Sequence, residues 1–149
     1  DFVAGQLWGV KGSNYYLLEG ILERLDFVGA CAAILKMAAA HPGTGILVED
    51  TANGPAVMSM LGNKLPGLVP VKPDGGKEAR VNAVSPLFEA GNVWLPKGDP
   101  IAEALAISLV TFPVGEHDDD VDACTQVLHY LYQGFVDYEA MMKAVGGRF

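Results

Sequence analysis

The chain has 149 residues, which is enough for one compact domain with a sizeable core. Half of the residues are apolar and 19% are charged, a composition that excludes intrinsic disorder. Ten basic and eighteen acidic residues give a formal charge of −8, so binding of nucleic acid by bulk positive charge is excluded and any such role requires a local site. Gly, Lys, Glu or Pro interrupts each apolar stretch before the roughly 18–20 residues that a membrane span needs, so we expect no membrane partner.

The cysteines and the ends of the chain predict how it is organised. Cys31 and Cys124 lie in apolar helical patterns and are interpreted as reduced core thiols rather than a disulfide or metal pair. No signal peptide is visible, and the chain enters a strand-like pattern directly at Asp1. We therefore expect a fragment of a longer protein that forms a single domain over residues 1–149, with a loosely packed tail at 134–149.

The first third of the chain predicts a hairpin, a helix and a buried strand. Residues 3–10 and 15–21 are rich in aromatic and β-branched side chains and flank a Gly-Ser-Asn turn, a pattern typical of an antiparallel hairpin. Asp26 is a candidate N-cap for a helix that ends at about Ala40. A short continuous apolar run at 45–48 is typical of a strand buried on both faces.

The rest of the chain alternates helices and strands. The predicted order is a helix at 55–65, a strand at 68–71, a helix at 77–90, a strand at 93–95, a helix at 100–110, a helix from 118–120 to about 133, and one more short helix after Gly134. Together with the hairpin, this order predicts an α/β fold in which helices flank a mixed sheet of antiparallel and parallel strands.

Two acidic clusters are candidate metal ligands. Glu49 follows a buried strand, at the carboxyl end where open α/β sheets place their ligands. Asp118, Asp119, Asp120 and Asp122 open the last predicted helix, and the i, i+3 spacing of Asp119 and Asp122 directs two carboxylates to one side. Acidic residues at a helix N-terminus are also favourable as solvated charges, so the alternative is a purely structural role. Mg²⁺ and Mn²⁺ prefer carboxylate oxygens, and two such ions support phosphodiester cleavage.

Basic residues near these acids are candidate phosphate ligands. Lys72, Lys77 and Arg80 form a cluster that is interpreted either as solvated charges at a helix end or as contacts to DNA phosphates. His117 directly precedes the acidic run and has either a structural role in the turn or a role in orienting water or contacting phosphate.

The sequence also resembles a known family. Residues 48–56 and 112–123 are similar to the carboxyl-terminal nuclease domain of the phage terminase large subunit, and so are 1–9, 15–18, 75–80 and 86–93, in order along the chain up to about residue 133. The resemblance implies a ribonuclease-H-like fold and a Mg²⁺- or Mn²⁺-dependent endonuclease that cuts concatemeric viral DNA by two-metal hydrolysis during packaging. It also implies double-stranded DNA, the terminase ATPase domain, the small terminase subunit and the portal as partners. The implied location is the cytoplasm of an infected bacterial host, without secretion.

By position, the resemblance implies that Glu49 is the strand-end acid and that Asp119 and Asp122 are the acids of the late helix, with Asp118 as the alternative to Asp119. The family's first metal-binding aspartate lies on a strand that precedes the segment matching residues 1–9, and Asp1 matches a later aspartate. We therefore expect weak or no cleavage by this chain and a gap or an exposed edge in its sheet. Two alternatives stay open: another ribonuclease-H-like nuclease of resolvase or transposase type, and a non-catalytic docking module of the packaging motor.

Overall fold

Strands and helices alternate along the part of the chain that the structure describes. The structure is a computed structural model, and it describes residues 2–144 except for the side chains of residues 135, 136 and 138. The predictions that concern Asp1 and the end of the tail, residues 145–149, lie outside the described residues.

The chain begins with the predicted antiparallel hairpin. Strand β1 (Phe2–Lys11) pairs with β2 (Asn14–Arg24) around a turn in which Gly12 has a φ of +60°, a backbone conformation that favours glycine. The pairing register shifts between Leu7 and Trp8, where a bulge bends the ribbon. The short strand β5 (Val93–Trp94) adds in parallel to β2, which gives a three-stranded sheet of order β1-β2-β5.

The middle of the chain forms a second, parallel pair of strands. Helix α1 (Phe27–Ala40) begins at Asp26, whose side chain accepts a hydrogen bond from the Gly29 amide as an N-cap should. Strand β3 (Ile46–Glu49), helix α2 (Gly54–Leu61) and strand β4 (Leu68–Val71) follow, and β3 pairs in parallel with β4.

The predicted α/β class is confirmed: antiparallel and parallel strands are flanked by helices. The strands are divided between two hydrogen-bonded sheets, and among the described residues β1 and β3 are end strands that do not pair with each other.

Three helices complete the described chain: α3 (Lys77–Glu89), α4 (Pro100–Thr111) and α5 (Asp119–Ala144). The last one is longer than expected, because it continues through Gly134 instead of ending near Gln133. A glycine inside a helix costs only about 1 kcal/mol relative to alanine. Gln133 also donates a hydrogen bond to Asp137 across the glycine, which supports the continuous helix.

The described residues pack around two apolar clusters. The larger core joins β2, α3, α4 and α5 and consists of Tyr15, Leu17, Val84, Leu87, Ala102, Leu105, Cys124 and Leu128. The smaller core joins α1 and α2 and consists of Cys31, Val57 and Leu61, with half-buried residues of β3 and β4 against it. Both cysteines are buried and free, which confirms their interpretation as core thiols.

No helix in the described part of the chain has the length and apolar character that crossing a membrane requires.

Candidate metal and nucleic-acid site

The start of α5 places two aspartates on one face of the helix. Asp118 lies immediately before the helix, and its carbonyl oxygen accepts a hydrogen bond from the Asp122 amide at 2.9 Å. This bond closes the first turn, so the side chains of Asp118 and Asp122 lie one above the other. Helix geometry therefore brings together two carboxylates, which repel each other and are favoured by a nearby positive charge.

Helix α3 supplies that positive charge from across the interface. The Lys77 ammonium makes a short contact with Asp118 Oδ2 and lies 3.1 Å from Asp122 Oδ2. The Arg80 guanidinium donates from Nη2 to Asp122 Oδ1 at 2.8 Å. We call these four residues, Lys77, Arg80, Asp118 and Asp122, the ion-pair cluster.

The two cations of the ion-pair cluster are held differently. Arg80, with 15% of its side chain exposed, also donates from Nη1 to the Gly75 carbonyl at 2.9 Å, in a turn where Gly75 has a φ of +71°. Lys77 is 46% exposed and extends from the first turn of α3. Hydrogen bonding to Asp118, opposed by partial burial, raises the pKa of the Lys77 ammonium, so it is charged at neutral pH. Arg80 is thus anchored at two points and mostly buried, whereas Lys77 is nearly half exposed.

Asp119 and Asp120 do not take part in the ion-pair cluster. The Asp119 side chain is half-buried and forms no ion pair with any described residue. Asp120 is only 2% exposed; its carboxylate accepts hydrogen bonds from the Ser108 hydroxyl at 2.8 Å and the Val121 amide at 2.9 Å. Its carbonyl accepts a third bond from the Gln6 side chain. Asp120 therefore ties the start of α5 to α4 and β1.

Glu49 lies at the carboxyl end of β3, as predicted, but the described residues do not bring it into an acidic cluster. Its carboxylate accepts a hydrogen bond from the Thr51 hydroxyl. Across residues 2–144, no three residues among the histidines, cysteines and acids are grouped closely enough to hold a metal ion. The structure thus joins Asp118 and Asp122 to each other and to Lys77 and Arg80, without Glu49 as a third acid.

A groove runs beside the ion-pair cluster. It has a volume of about 610 Å³ and lies between the β4–α3 loop, α3 and α5. Lys72 and Arg80 contribute to one side, and Thr125, His129 and Tyr130 of α5 to the other. The exposed Lys72 therefore lines the same groove as Arg80.

His117 has an aromatic partner that was not anticipated. Its exposed ring packs against Phe2 with 4.3 Å between ring centroids, and the Arg24 guanidinium lies 5.0 Å from the centroid of the same phenyl ring. Phe2 and Arg24 are cross-strand partners in the hairpin. Arg24 is thus a further cation near the start of α5. Its position depends on the register of the hairpin, and the sequence does not specify that register at the open end of the hairpin.

The described residues bring two carboxylates together here, those of Asp118 and Asp122, and not the group of three that could hold a metal ion. Mg²⁺ is typically held by one or two carboxylates, with water and substrate phosphate completing its shell. The Oδ2 atoms of Asp118 and Asp122 both contact the Lys77 ammonium.

A comparison with protein families identifies the family of the chain. The model of the terminase RNaseH-like domain family matches residues 1–131, a span that includes Glu49, the basic cluster and all the aspartates at the start of α5. A search of curated proteins found no match.

Proposed function

The chain belongs to the terminase RNaseH-like domain family, a nuclease-type family, and from this premise we propose that it is a metal-dependent endonuclease domain that cuts viral DNA during packaging. The observation that carries the proposal is the convergence of Asp118 and Asp122 on a single cation. When bound, a divalent ion such as Mg²⁺ or Mn²⁺ would supply Lewis-acid stabilisation of a phosphoryl oxygen and activation of water.

In this proposal, the acidic residues bind the ion and one arginine orients them. Asp118 and Asp122 hold the ion, and Arg80 fixes the orientation of Asp122 through its bond to Oδ1. Asp119, one residue along, is the alternative partner of Asp122. Glu49, at the end of β3, supplies a carboxylate from the sheet side.

DNA binding is proposed to rest on local positive charge, because the chain as a whole is acidic. The proposed phosphate contacts are Lys72, Lys77, Arg80 and His117. They bind the phosphates of double-stranded DNA and do not contact its bases, so they do not select a sequence. The terminase ATPase domain, the small terminase subunit and the portal are the proposed protein partners.

The experiment that tests the metal site compares three charge-matched variants of the chain: Asp118→Asn, Asp119→Asn and Asp122→Asn. Binding of Mn²⁺ is measured by titration and by the shift of the melting temperature that ligand binding produces. Asp118→Asn and Asp122→Asn are expected to abolish the metal-dependent shift, whereas Asp119→Asn is the control that removes the same charge one residue away.

The result also distinguishes the alternatives. Loss of the shift in Asp119→Asn with retention in Asp118→Asn would assign the pair to Asp119 and Asp122. Retention of the shift in all three variants would contradict the metal site. If the chain then still binds duplex DNA, the non-catalytic docking module becomes the better reading. Preferential cutting of four-way junctions would instead favour a resolvase-type nuclease.

A second variant tests the role of Glu49. If its carboxylate joins the ion only when DNA is bound, Glu49→Gln is expected to leave Mn²⁺ binding in the absence of DNA unchanged within about twofold and to lower cleavage of duplex DNA at least tenfold. Equal loss of binding in Glu49→Gln and Asp122→Asn would show that Glu49 is already a ligand in the free chain.

A further inference from the structure

The cations of the ion-pair cluster do not offer their full charge to DNA. Lys77 and Arg80 each face aspartate carboxylates, so the ion-pair cluster is formally neutral. A DNA backbone close to it therefore needs attraction from cations that have no acidic partner. We propose, on the basis of the proposed function, that Arg24 at the open end of the hairpin is such a cation and binds a phosphate of the duplex.

A series of contacts connects Arg24 to the start of α5. Phe2 and Arg24 are directly opposite each other in the pairing of β1 with β2, so their side chains lie on the same face of the hairpin. The Arg24 guanidinium lies 5.0 Å from the centroid of the Phe2 ring, and the His117 ring packs against the same phenyl ring. His117 directly precedes Asp118, whose carboxylate contacts Lys77. Two aromatic rings therefore connect Arg24 to the residue next to it in the ion-pair cluster.

The charge of Arg24 is available to a ligand. Arg24 is exposed and forms no ion pair with a residue that the structure describes. Glu23, its neighbour along β2, points to the opposite face of the hairpin, because side chains alternate along a strand. The cation–π contact with Phe2 restrains the guanidinium without neutralising it, and its planar fork of N–H donors matches the oxygens of a phosphate.

A second unpaired cation lies at the other end of the same series of contacts. Lys72 is exposed, forms no ion pair within residues 2–144 and lines the groove together with Arg80 of the ion-pair cluster. A phosphate backbone that follows this series meets an unpaired cation at each end. These two charges offset the repulsion between the DNA and the aspartates at the start of α5.

The test measures binding of a fluorescein-labelled DNA duplex by the chain, from fluorescence anisotropy at a series of salt concentrations. Divalent ions are removed with a chelator, so the affinity reports charge contacts and does not depend on a metal. Arg24→Gln is expected to weaken binding about three- to tenfold and to reduce the slope of log affinity against log salt by about 1, as for one lost phosphate contact. Lys72→Gln should have an effect of similar size.

Lys11→Gln is the matched control. It removes the same charge from an exposed residue at the opposite end of the same hairpin. The length of β1 places Lys11 about 30 Å from Phe2, which is well beyond the screening length at 0.15 M salt. Duplex affinity should therefore change by less than about 1.5-fold in this variant.

Phe2→Leu tests whether the phenyl ring positions Arg24. The variant keeps every charge and removes the aromatic face, so it should weaken duplex binding about two- to threefold in the original chain. In the Arg24→Gln background it should change nothing, which a double-mutant cycle measures. Far-ultraviolet circular dichroism checks that the variants keep the fold of the original.

The outcomes separate this inference from the function on which it rests. Weaker binding in Lys72→Gln, with unchanged binding in Arg24→Gln, overturns the role of Arg24 and leaves the proposed function intact. Equal losses in Arg24→Gln and Lys11→Gln also overturn it, because the effect would then be one of net charge. Additive losses in the cycle overturn the positioning of Arg24 by Phe2. Absence of duplex binding by the original chain at low salt overturns the proposed function and this inference together.

Discussion

The two apolar cores differ in how firmly they position the candidate site. The larger core contains eight buried residues, and α3 and α5 pack directly on each other within it. The smaller core contains three, and it supports β3 through α2. The ion-pair cluster therefore belongs to the better buried region, whereas Glu49 belongs to the other. Preorganisation of the α5 acids comes from side-chain packing, and the position of Glu49 depends more on local backbone contacts.

The largest expected effect comes from removing a leucine from each core in turn. Leu105 is fully buried in the larger core, and Leu105→Ala should lower the free energy of unfolding by about 3–5 kcal/mol, because rigid neighbours leave a cavity. Leu61→Ala in the smaller core should cost about 2–3 kcal/mol, since its half-buried neighbours can relax. Urea denaturation measures both values.

Hydrogen exchange tests the same pair of variants region by region. Leu61→Ala should reduce amide protection in β3, α1 and α2 and spare α5, whereas Leu105→Ala should reduce it throughout. Uniform loss of protection in Leu61→Ala would show that the two cores unfold as one unit and would remove the contrast between them.

The next effect concerns the backbone that supports Glu49. A Cβ added at Gly54 would lie 1.7 Å from the Glu49 carbonyl oxygen, a contact that forces the end of β3 or the start of α2 to move. Gly54→Ala should therefore destabilise the chain by about 2–3 kcal/mol. Gly45→Ala is the matched control at the other end of β3, where an added Cβ meets nothing within 4 Å. Thermal unfolding of the two variants checks the prediction, and equal melting temperatures would contradict it.

The sequence predicted most elements and the members of the site separately, but not their pairing. Lys77, Arg80, Asp118 and Asp122 were all identified as candidates, the cations for phosphate and the acids for metal. That they bind one another depends on how α3 packs on α5, a contact between residues about forty positions apart in the chain. Local patterns of charge and periodicity carry no information on such a contact.

The role of Asp120 illustrates a signal that was present but not used. Asp120, Cys124 and Leu128 recur every four residues, the spacing of one buried helix face, and all three are buried. The i, i+3 spacing within the acidic run instead favours Asp119 as a candidate metal ligand. The placement of Glu49 relative to α5 had no comparable local signal, because it depends on how two separately packed regions meet.

A smaller effect is expected from Asp120 itself. Asp120→Ala removes the acceptor of the Ser108 hydroxyl and the Val121 amide and should cost about 1–2 kcal/mol. Asp119→Ala, the adjacent control without an ion pair in the described chain, should change stability by less than about 0.5 kcal/mol. A double-mutant cycle with Ser108→Ala isolates the Asp120–Ser108 hydrogen bond. Additive losses in that cycle would show that the bond does not anchor α5 to α4.

The smallest expected effect on stability concerns the two cysteines, one of which lies in each core. Burial, reinforced by the negative charge of Asp120, raises the pKa of the Cys124 thiol to about 12. An unfolded thiol ionises near pH 8.5, so the unfolded state loses its proton first, and the contribution of Cys124 to stability decreases as the pH rises above that value. The loss should reach about 1 kcal/mol by pH 9.2 and should be absent in Cys124→Ala, as measured by urea denaturation at pH 7.0 and 9.2.

A thiol reagent sharpens the comparison: Cys31 in the smaller core should react through local opening, and Cys124 only on global unfolding. Equal reaction rates for the two thiols would show that both cores open together.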